Sequence, residues 1–312
     1  MAHFDRPIHL NGIEAISGVR PLFENLDLRD RNAVSAFFEK HHELSGVIHF
    51  AAFKAVGESV ANPLAYYENN LNTLIYILQE LSKKEKANII FSSSCTVYGQ
   101  AEEMPITENA PVQPAESPYG NTKQIGEEII RDTCKVTPNL NNIALRYFNP
   151  MGAHPSALIG ELPIGVPQNL VPFITQTGVG LREELSVFGY DYPTKDGTCV
   201  RDYIHVVDLA KAHVIALKRL LEKNNKENYE VFNLGTGKGS SVLEVIKSYE
   251  NVSGNSLRYK LVDKRPGDVI SAYADTTMAN NVLGWKAEST LDEAMKSAWD
   301  WEQKISKVTT VH

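Results

Sequence analysis

The chain has 312 residues, of which 43% are hydrophobic and 22% are charged, and its formal net charge is −7. This composition predicts a soluble globular protein of one or two domains, and the negative charge argues against a general binder of nucleic acids or of anionic membranes. No stretch approaches the roughly 18 consecutive apolar residues of a transmembrane helix.

The three cysteines, Cys95, Cys134 and Cys199, are odd in number and scattered along the chain. Such a set is typical of reduced cytoplasmic thiols, and it forms neither a disulfide framework nor the ligand set of a metal ion. We therefore predict a cytoplasmic protein without a bound metal.

Strands and helices alternate in the first half of the chain. Residues 13–18 are typical of a helix end, and residues 19–23 predict a strand. A helix carrying Val34, Phe37 and Phe38 follows, then a buried strand at residues 46–50. Apolar residues spaced by three and four predict a long amphipathic helix from Leu64 to Leu81. This alternation predicts a parallel, doubly wound sheet.

Three serines end the next predicted strand. Residues 88–99 read NIIFSSSCTVYG, an apolar run that passes into small polar residues. Ligands of open α/β sheets bind outside the carboxyl ends of the strands. We therefore expect this strand to end in a loop that faces a site, which makes Ser92, Ser93 and Ser94 candidate site residues.

The sequence Ser117-Pro118 predicts a helix start, which places Tyr119 and Lys123 one turn apart on the same face. That face continues with small and apolar residues, namely Gly126, Ile130 and Thr133. A lysine on an inward face is costly unless it has a task. An ammonium near a phenol favours the phenolate, so we expect it to lower the pKa of Tyr119 toward the range of a general base. The bare Tyr-x-x-x-Lys spacing also occurs by chance, but the serine strand before it favours a catalytic pair.

The second half has shorter elements. Residues 151–206 are rich in Pro and Gly, with a helix near residues 169–177. We predict a helix that is capped by Asp208 and runs to Leu221, a strand at residues 229–234, and two helices opened by capping boxes at residues 241–244 and 290–293. Residues 235–240 lack the spacing of a phosphate-binding loop and predict a tight strand-to-helix turn. We expect late segments to return to the first sheet.

The serine strand followed by SPYGNTK at residues 117–123 resembles the extended short-chain dehydrogenase/reductase family, and within it the UDP-glucose 4-epimerases. The resemblance extends from residue 13 to residue 304. It implies an α/β fold with a doubly wound parallel sheet and a smaller C-terminal α/β substrate domain. Residues 1–150 would form the NAD-binding domain, and residues 151–312 mainly the UDP-sugar domain.

The resemblance also implies a reaction, the interconversion of UDP-galactose and UDP-glucose through oxidation and re-reduction at sugar C4. Ser94 would hydrogen-bond the 4-oxygen, Tyr119 would exchange its proton, and Lys123 would hold the nicotinamide ribose. NAD would be the cofactor, with no net change, and the enzyme would be a homodimer.

Further binding residues follow from the same resemblance. The cofactor positions, besides the catalytic three, are Asp27, Leu28, Phe50, Ala51, Ala52, Phe53, Lys54, Asn69 and Phe148. The UDP-sugar positions are Asn149, Asn169, Leu170, Ser186, Val187, Phe188, Arg201, Arg265 and Asp268. Asp27 and Lys54 could equally be surface charges. Ala272 matches the position beside the sugar's 2-substituent, where a small residue implies that UDP-N-acetylglucosamine is also accepted.

The sequence departs from the family in one respect, because no Gly-x-Gly-x-x-Gly pattern occurs in it. About one βαβ unit of the family pattern is missing, and with it the turn that holds a pyrophosphate. We therefore expect residues 1–312 expressed alone to be poorly soluble, to retain no NAD and to show no epimerisation.

Two alternatives remain open at this stage. A nucleotide-sugar 4,6-dehydratase would carry Asp-Glu directly after the strand-end hydroxyl residue, where this chain has Cys95 and Thr96. The other alternative is an inactive binding protein without a cofactor.

Overall fold

The computed structural model describes residues 7–163, 165–265 and 268–309. Its α-helices are α1 (Pro7–Ser17), α2 (Arg31–Lys40), α3 (Val56–Ala61), α4 (Pro63–Leu81), α5 (Pro118–Val136), α6 (Leu170–Gly178), α7 (Val206–Leu221), α8 (Val242–Ser253) and α9 (Leu291–Thr309). Its strands are β1 (Gly46–His49), β2 (Ala87–Ser94), β3 (Leu140–Tyr147), β4 (Asn149–Met151), β5 (Leu185–Phe188), β6 (Val200–Arg201), β7 (Tyr203–His205), β8 (Tyr229–Leu234), β9 (Ser240–Ser241), β10 (Tyr259–Val262) and β11 (Ser271–Ala272). A short 3₁₀-helix spans Cys95–Tyr98, and a π-helical turn spans Ala279–Leu283.

A four-stranded parallel sheet in the order β1-β2-β3-β8 forms the framework of the site. Every residue of β2 is buried, because helices cover both faces of the sheet. Ile89 and Phe91 pack with α4 and α5 on one face, and Ile90 packs with α7 on the other. The predicted doubly wound α/β fold is confirmed, with the carboxyl end of β2 at its centre.

The second half of the chain contributes to two layers. Strand β8 and helix α7 join the first sheet, while β5 pairs with β10 and β6 lies between β9 and β11. Helices α6, α8 and α9 share a second core with β5. The chain therefore crosses between the two parts more than once, and the gap between them opens at the carboxyl ends of β2 and β3.

Residues 19–23 do not form the predicted strand. They are non-helical and unpaired, and the side chains of Val19, Leu22 and Phe23 are 67%, 96% and 41% exposed. A strand needs a neighbour to take its backbone hydrogen bonds. Within the described residues, β1 pairs only with β2, so no strand lies where this segment could dock.

The helix starts were predicted with one error. Ser117 caps α5, and the capping boxes of Ser241 with Glu244 and of Thr290 with Glu293 are present. Asp208 does not cap α7, because the helix begins earlier, at Val206, with the His205 ring accepting from the Val207 N–H at 2.9 Å. Asp208 instead accepts the backbone N–H groups of the segment before α9. Residues 235–239 connect β8 to the two-residue strand β9, so the turn predicted over residues 235–240 leads to a short strand and not directly to α8.

No described helix is both long and apolar enough to cross a membrane. Among the described residues, no three His, Cys, Asp or Glu side chains are grouped so that they could hold a metal ion.

A buried ion pair lies beneath the site and connects α5 with β3. Arg146 donates to both carboxylate oxygens of Glu127, at 2.9 and 2.5 Å. Ser93 of β2 and Tyr229 of β8 donate to the same carboxylate. The pair therefore links three neighbouring strands to the helix that carries Tyr119.

We predict that Arg146→Met lowers the free energy of unfolding by about 3–5 kcal/mol, because the Glu127 charge would stay buried without its partner. Urea denaturation measures this change. Lys135→Met serves as the control, since its ion pair with Asp132 is exposed and its loss should hardly matter. Equal effects of the two substitutions would contradict the structural role of the buried pair.

Candidate active site

The candidate catalytic residues meet where β2 ends and α5 begins. Ser94 is the last residue of β2, and its Oγ accepts from the Thr96 N–H at 3.2 Å, which opens the 3₁₀-helix. At the other side, the Ser117 Oγ accepts from the Gly120 N–H at 3.1 Å and fixes the first turn of α5. That turn carries Tyr119 inward.

Tyr119 is buried and only 8% exposed. Burial raises the pKa of Tyr119 above its usual range, the nearby Tyr147 raises the pKa further, and the nearby Ser94 hydroxyl acts in the opposite direction. Ser94 and Tyr119 are the two side chains that the resemblance assigns to the sugar 4-oxygen and its proton.

Lys123 lies one turn further along α5 and is 5% exposed. Its Nζ donates to the Ser92 carbonyl at 2.7 Å, and it lies 4.9 Å from the centre of the Phe91 ring and 5.9 Å from that of Tyr119. Burial lowers the pKa of Lys123 to about 8, while the Glu127 carboxylate acts to raise it. The predicted inward lysine beside the tyrosine is therefore present.

The direction of the Tyr119 pKa differs from the sequence-based expectation. The sequence predicts that the ammonium lowers this pKa, but burial raises it. One reason is that Lys123 directs its charge to the Ser92 carbonyl instead of the phenol oxygen. Helical spacing places two residues on one face, but it does not reveal how deeply the surrounding strands bury them.

The segment at residues 50–54 follows β1 and is held by a residue that the sequence analysis missed. Asn70 of α4 accepts from the Phe53 N–H at 2.7 Å and donates to the Phe53 carbonyl and to Thr122 Oγ1, each at 3.0 Å. The predicted neighbour, Asn69, donates to Asn70 Oδ1 at 2.9 Å. The two consecutive asparagines within an amphipathic helix are the sequence feature that could have indicated this role.

The remaining cofactor candidates are spread around this segment. The Phe50 ring is exposed yet packs against the tilted His213 ring at 4.4 Å between ring centres, and Lys54 forms an ion pair with Glu161 at 3.1 Å. Ala51 and Ala52 are half-buried, and Phe148 is buried.

Asp27 and Leu28 lie before α2, apart from the other candidates. Leu28 packs against the sheet core, and Asp27 pairs with Arg29 at 2.7 Å, a contact that lowers the pKa of Asp27 to about 2. Neither contact involves another candidate cofactor residue, so the structure does not join this pair to the site.

The chain's own residues fit the nicotinamide end of NAD. The Lys123 ammonium has more N–H bonds than its contact with Ser92 uses, so it can also donate to ribose hydroxyls. The small side chains of Ala51 and Ala52 allow a cofactor to approach the backbone closely, and Asn70 holds that backbone in place.

A cavity of about 470 Å³ lies between the two parts of the chain, and all nine UDP-sugar candidates line it. These are Asn149, Asn169, Leu170, Ser186, Val187, Phe188, Arg201, Arg265 and Asp268. Ala272 does not line it. It pairs with Arg201 in the register of β11 and β6 and packs against the cluster of Tyr98 and Phe148.

Two guanidinium groups give this cavity its charge. Arg265 stacks over the Phe188 ring at 4.4 Å and donates to Asp268 at 3.2 Å, while Arg201 donates to the Val200 carbonyl at 2.9 Å. Forked arginine donors bind diphosphates in two-point contacts. The cavity therefore combines an aromatic wall, two cations and amide groups.

Several residues that line the cavity had no sequence signal. They are Pro150, Val166, Pro167, Gln168, Val171, Phe173, Leu185, Cys199, Tyr203 and Val242. Most are apolar residues whose neighbours across the cavity come from distant parts of the chain. A second cavity of about 620 Å³ is bordered by Lys54 and Glu161 and shares Pro150 and Asn169 with the first.

Cys95 follows Ser94 directly, but it is not activated. Burial raises the pKa of Cys95 to about 11, although the nearby Arg201 acts to lower it. The thiol therefore stays protonated, as a packing residue would. Ser94 pairs with Tyr147 in the register of β2 and β3, and Asn149, two residues after Tyr147, lines the 470 Å³ cavity, so the strand end with Ser94 adjoins this cavity.

Comparisons with known proteins agree on the family. The family model described as GDP-mannose 4,6 dehydratase matches residues 7–298. The UDP-glucose 4-epimerase of Bacillus subtilis is 50% identical over 94% of this chain and 85% of its own length, and that of Drosophila melanogaster is 46% identical over 96% and 85%.

Solved structures of such enzymes also match. The UDP-glucose 4-epimerase of Bifidobacterium longum, in complex with NAD+ and UDP, has a TM-score of 0.90 and 46% identity over 96% of this chain and 88% of that one. The UDP-Glc/GlcNAc 4-epimerase of Campylobacter jejuni has a TM-score of 0.81 and 35% identity over 97% and 90%. With this identity over almost the whole chain, the protein belongs to the UDP-glucose 4-epimerase family of NAD-dependent extended short-chain dehydrogenases/reductases.

Proposed function

We propose that the protein interconverts UDP-galactose and UDP-glucose with NAD as its cofactor, a step of galactose metabolism. The single observation that carries this proposal is the position of Ser94, Tyr119 and Lys123, at the end of β2 and directly beside a cavity with two arginines. A proton-exchanging tyrosine beside a diphosphate site is what epimerisation of a UDP-sugar requires.

The roles of the residues follow from their environment. Arg201 and Arg265 bind the diphosphate, and the aromatic and amide groups of the cavity hold the uridine. This binding places the sugar against Ser94 and Tyr119, so the binding energy of the distant UDP group serves to orient the reacting sugar. Ser94 hydrogen-bonds the 4-oxygen, and Tyr119 takes the proton from the 4-hydroxyl and later returns it.

A bound NAD would supply the reversible hydride chemistry at sugar C4, with no net change of the cofactor. Lys123 and residues 50–54 would hold its nicotinamide end. Its positive charge would also favour the phenolate of Tyr119, against the effect of burial. Burial disfavours the charged forms of both Tyr119 and Lys123. The positive charge of a bound cofactor would therefore favour the phenolate form in which Tyr119 acts as a base.

The residues that follow Ser94 at the end of β2 argue against the dehydratase alternative. Elimination of water at sugar C5 and C6 needs an acid and a base beside the catalytic hydroxyl residue. Here Ser94 is followed by Cys95, whose pKa is raised to about 11, and by Thr96. Neither side chain supplies a carboxyl group.

Three further parts of the proposal rest on the resemblance. The enzyme is a homodimer, it works in the cytoplasm, and residues 1–150 mainly bind NAD while residues 151–312 mainly bind the UDP-sugar. Light scattering of the purified protein tests the first part.

Turnover of UDP-galactose tests the function directly. We would assay residues 1–312 with added NAD, alone and with a glycine-rich βαβ segment added before the chain. UDP-glucose formation by either form supports the proposal. Failure of both forms while they are folded and bind NAD would contradict it.

Replacing Tyr119 by Phe in the active form should lower kcat by about 10²-fold or more, because the proton acceptor is lost. Steady-state turnover of UDP-galactose measures this effect. Tyr67→Phe is the matched control, since that hydroxyl accepts from Asn121 of α5 outside the catalytic cluster. Near-normal turnover in the Tyr119 variant would rule out its catalytic role.

Lys123→Met should reduce NAD retention and move the rising limb of the pH-rate profile to higher pH. Removing a positive charge raises the pKa of Tyr119, so the phenolate forms only at higher pH. Bound NAD is measured after denaturation, and kcat is measured across the pH range. An unchanged profile would show that Lys123 holds the cofactor without tuning the tyrosine.

Ala272→Tyr should abolish activity on UDP-N-acetylglucosamine and largely spare that on UDP-glucose. Ala272 lies outside the UDP-sugar cavity but packs with Cys95 and Phe148 beside the strand end that carries Ser94, so a large side chain there would reduce the space beside the sugar. The ratio of kcat/KM for the two substrates is the measured quantity. An equal loss on both would contradict a role in substrate breadth.

A further inference from the structure

A buried carboxylate lies directly behind the UDP-sugar cavity. Asp202 is 0% exposed and stands between Arg201 and Tyr203, both of which line the cavity. Neighbouring side chains of an extended chain point to opposite sides. Asp202 therefore faces away from the cavity and into the protein.

Four hydrogen bonds hold this carboxylate. One oxygen accepts from the Thr236 N–H at 2.8 Å and from the Thr236 hydroxyl at 2.7 Å, and the other accepts from the N–H groups of Gly237 at 3.1 Å and Ala274 at 3.2 Å. In the described part of the chain, it forms no ion pair with a lysine or arginine. A buried charge with only neutral donors depends on every one of them.

The backbone of Asp202 extends the same connection to the cavity walls. Its N–H donates to the Ala272 carbonyl at 3.0 Å, and its carbonyl accepts from the Asn149 N–H at 2.9 Å. One residue thus joins β4, β6 and β11 with the turn that follows β8. Those three strands carry Asn149, Arg201 and Ala272.

Gly235 shows how closely this arrangement is packed. A Cβ atom at that position would lie 2.3 Å from the Asp202 carboxylate and 2.8 Å from the Ala274 side chain. Both distances are far inside van der Waals contact, so glycine is required for the carboxylate to reach its donors.

We propose that Asp202 is a positioning residue for the UDP-sugar. Its carboxylate fixes the turn after β8 and the segment after β11, and through them the places of Arg201, Asn149 and Ala272. The inference rests on the proposed function, since it takes the ligand of the cavity to be a UDP-sugar. It adds a residue that touches neither substrate nor cofactor, yet controls the affinity for the substrate.

The rival explanation is that Asp202 only stabilises the fold. Asp208 provides the matched control, because it is also a buried carboxylate that accepts two backbone N–H groups, those of Glu288 at 3.0 Å and Ser289 at 2.8 Å. It joins α7 to the segment before α9 and does not line the UDP-sugar cavity. A purely structural role predicts the same behaviour for both carboxylates.

The experiment compares Asp202→Asn with Asp208→Asn in the active form. The amide nitrogen of asparagine would replace one carboxylate oxygen at position 202. Its N–H bonds would then face two of the four groups that donate to Asp202. We therefore expect the KM for UDP-galactose to rise about tenfold, with kcat changed less than about twofold and bound NAD unchanged. Asp208→Asn should leave KM unchanged even if it lowers the melting temperature.

Calorimetric titration with UDP provides a second measure that does not need turnover. The Kd for UDP should rise in parallel with KM in Asp202→Asn, even if the sugar chemistry differs from the proposed function. If Asp202→Asn does not fold, Thr236→Ala removes a single hydroxyl donor, and about a twofold rise in the Kd for UDP is expected. A KM and a Kd equal to those of the unaltered protein would overturn the proposal, as would an equal change in Asp208→Asn.

Discussion

The buried ammonium of Lys123 is the constraint on which the site depends. A charged side chain that is 5% exposed needs strong partners, and the Lys123 ammonium donates to the carbonyl of Ser92 on β2. This contact fixes the height of α5 over the strand end, and with it the distance between Tyr119 and Ser94. The positions of the catalytic residues therefore depend on the hydrogen bond that β2 provides to the charged Lys123 side chain.

Separate networks stabilise the two sides of the site. On the cofactor side, Asn70 ties residues 50–54 to α4 and α5. On the substrate side, Asp202 ties the short strands around the cavity to the first sheet. Both use a polar side chain that binds backbone groups of another segment. Such contacts constrain the chain itself, so they suit a site whose chemistry depends on position.

Much of this arrangement could be predicted from the sequence, because local rules determine it. The Ser117 cap, the inward face of α5 and the buried run of β2 follow from capping, helical spacing and coverage of both sheet faces. The nine cavity residues were predicted from the family resemblance, because no spacing rule connects them in the sequence. Residues 19–23 were wrongly predicted as a strand because pairing needs a neighbour that local pattern cannot show. The roles of Asn70 and Asp202 were missed because their partners lie far away in sequence.

The proposed reaction oxidises C4 of the sugar and then reduces it within one closed site. Turnover of UDP-galactose that carries deuterium at C4, in ordinary water, tests this reaction, with the product analysed by NMR and mass spectrometry. We expect UDP-glucose that keeps its deuterium at C4, because the hydride leaves and returns without exchange with solvent. UDP-glucose that has lost the deuterium to water would contradict it.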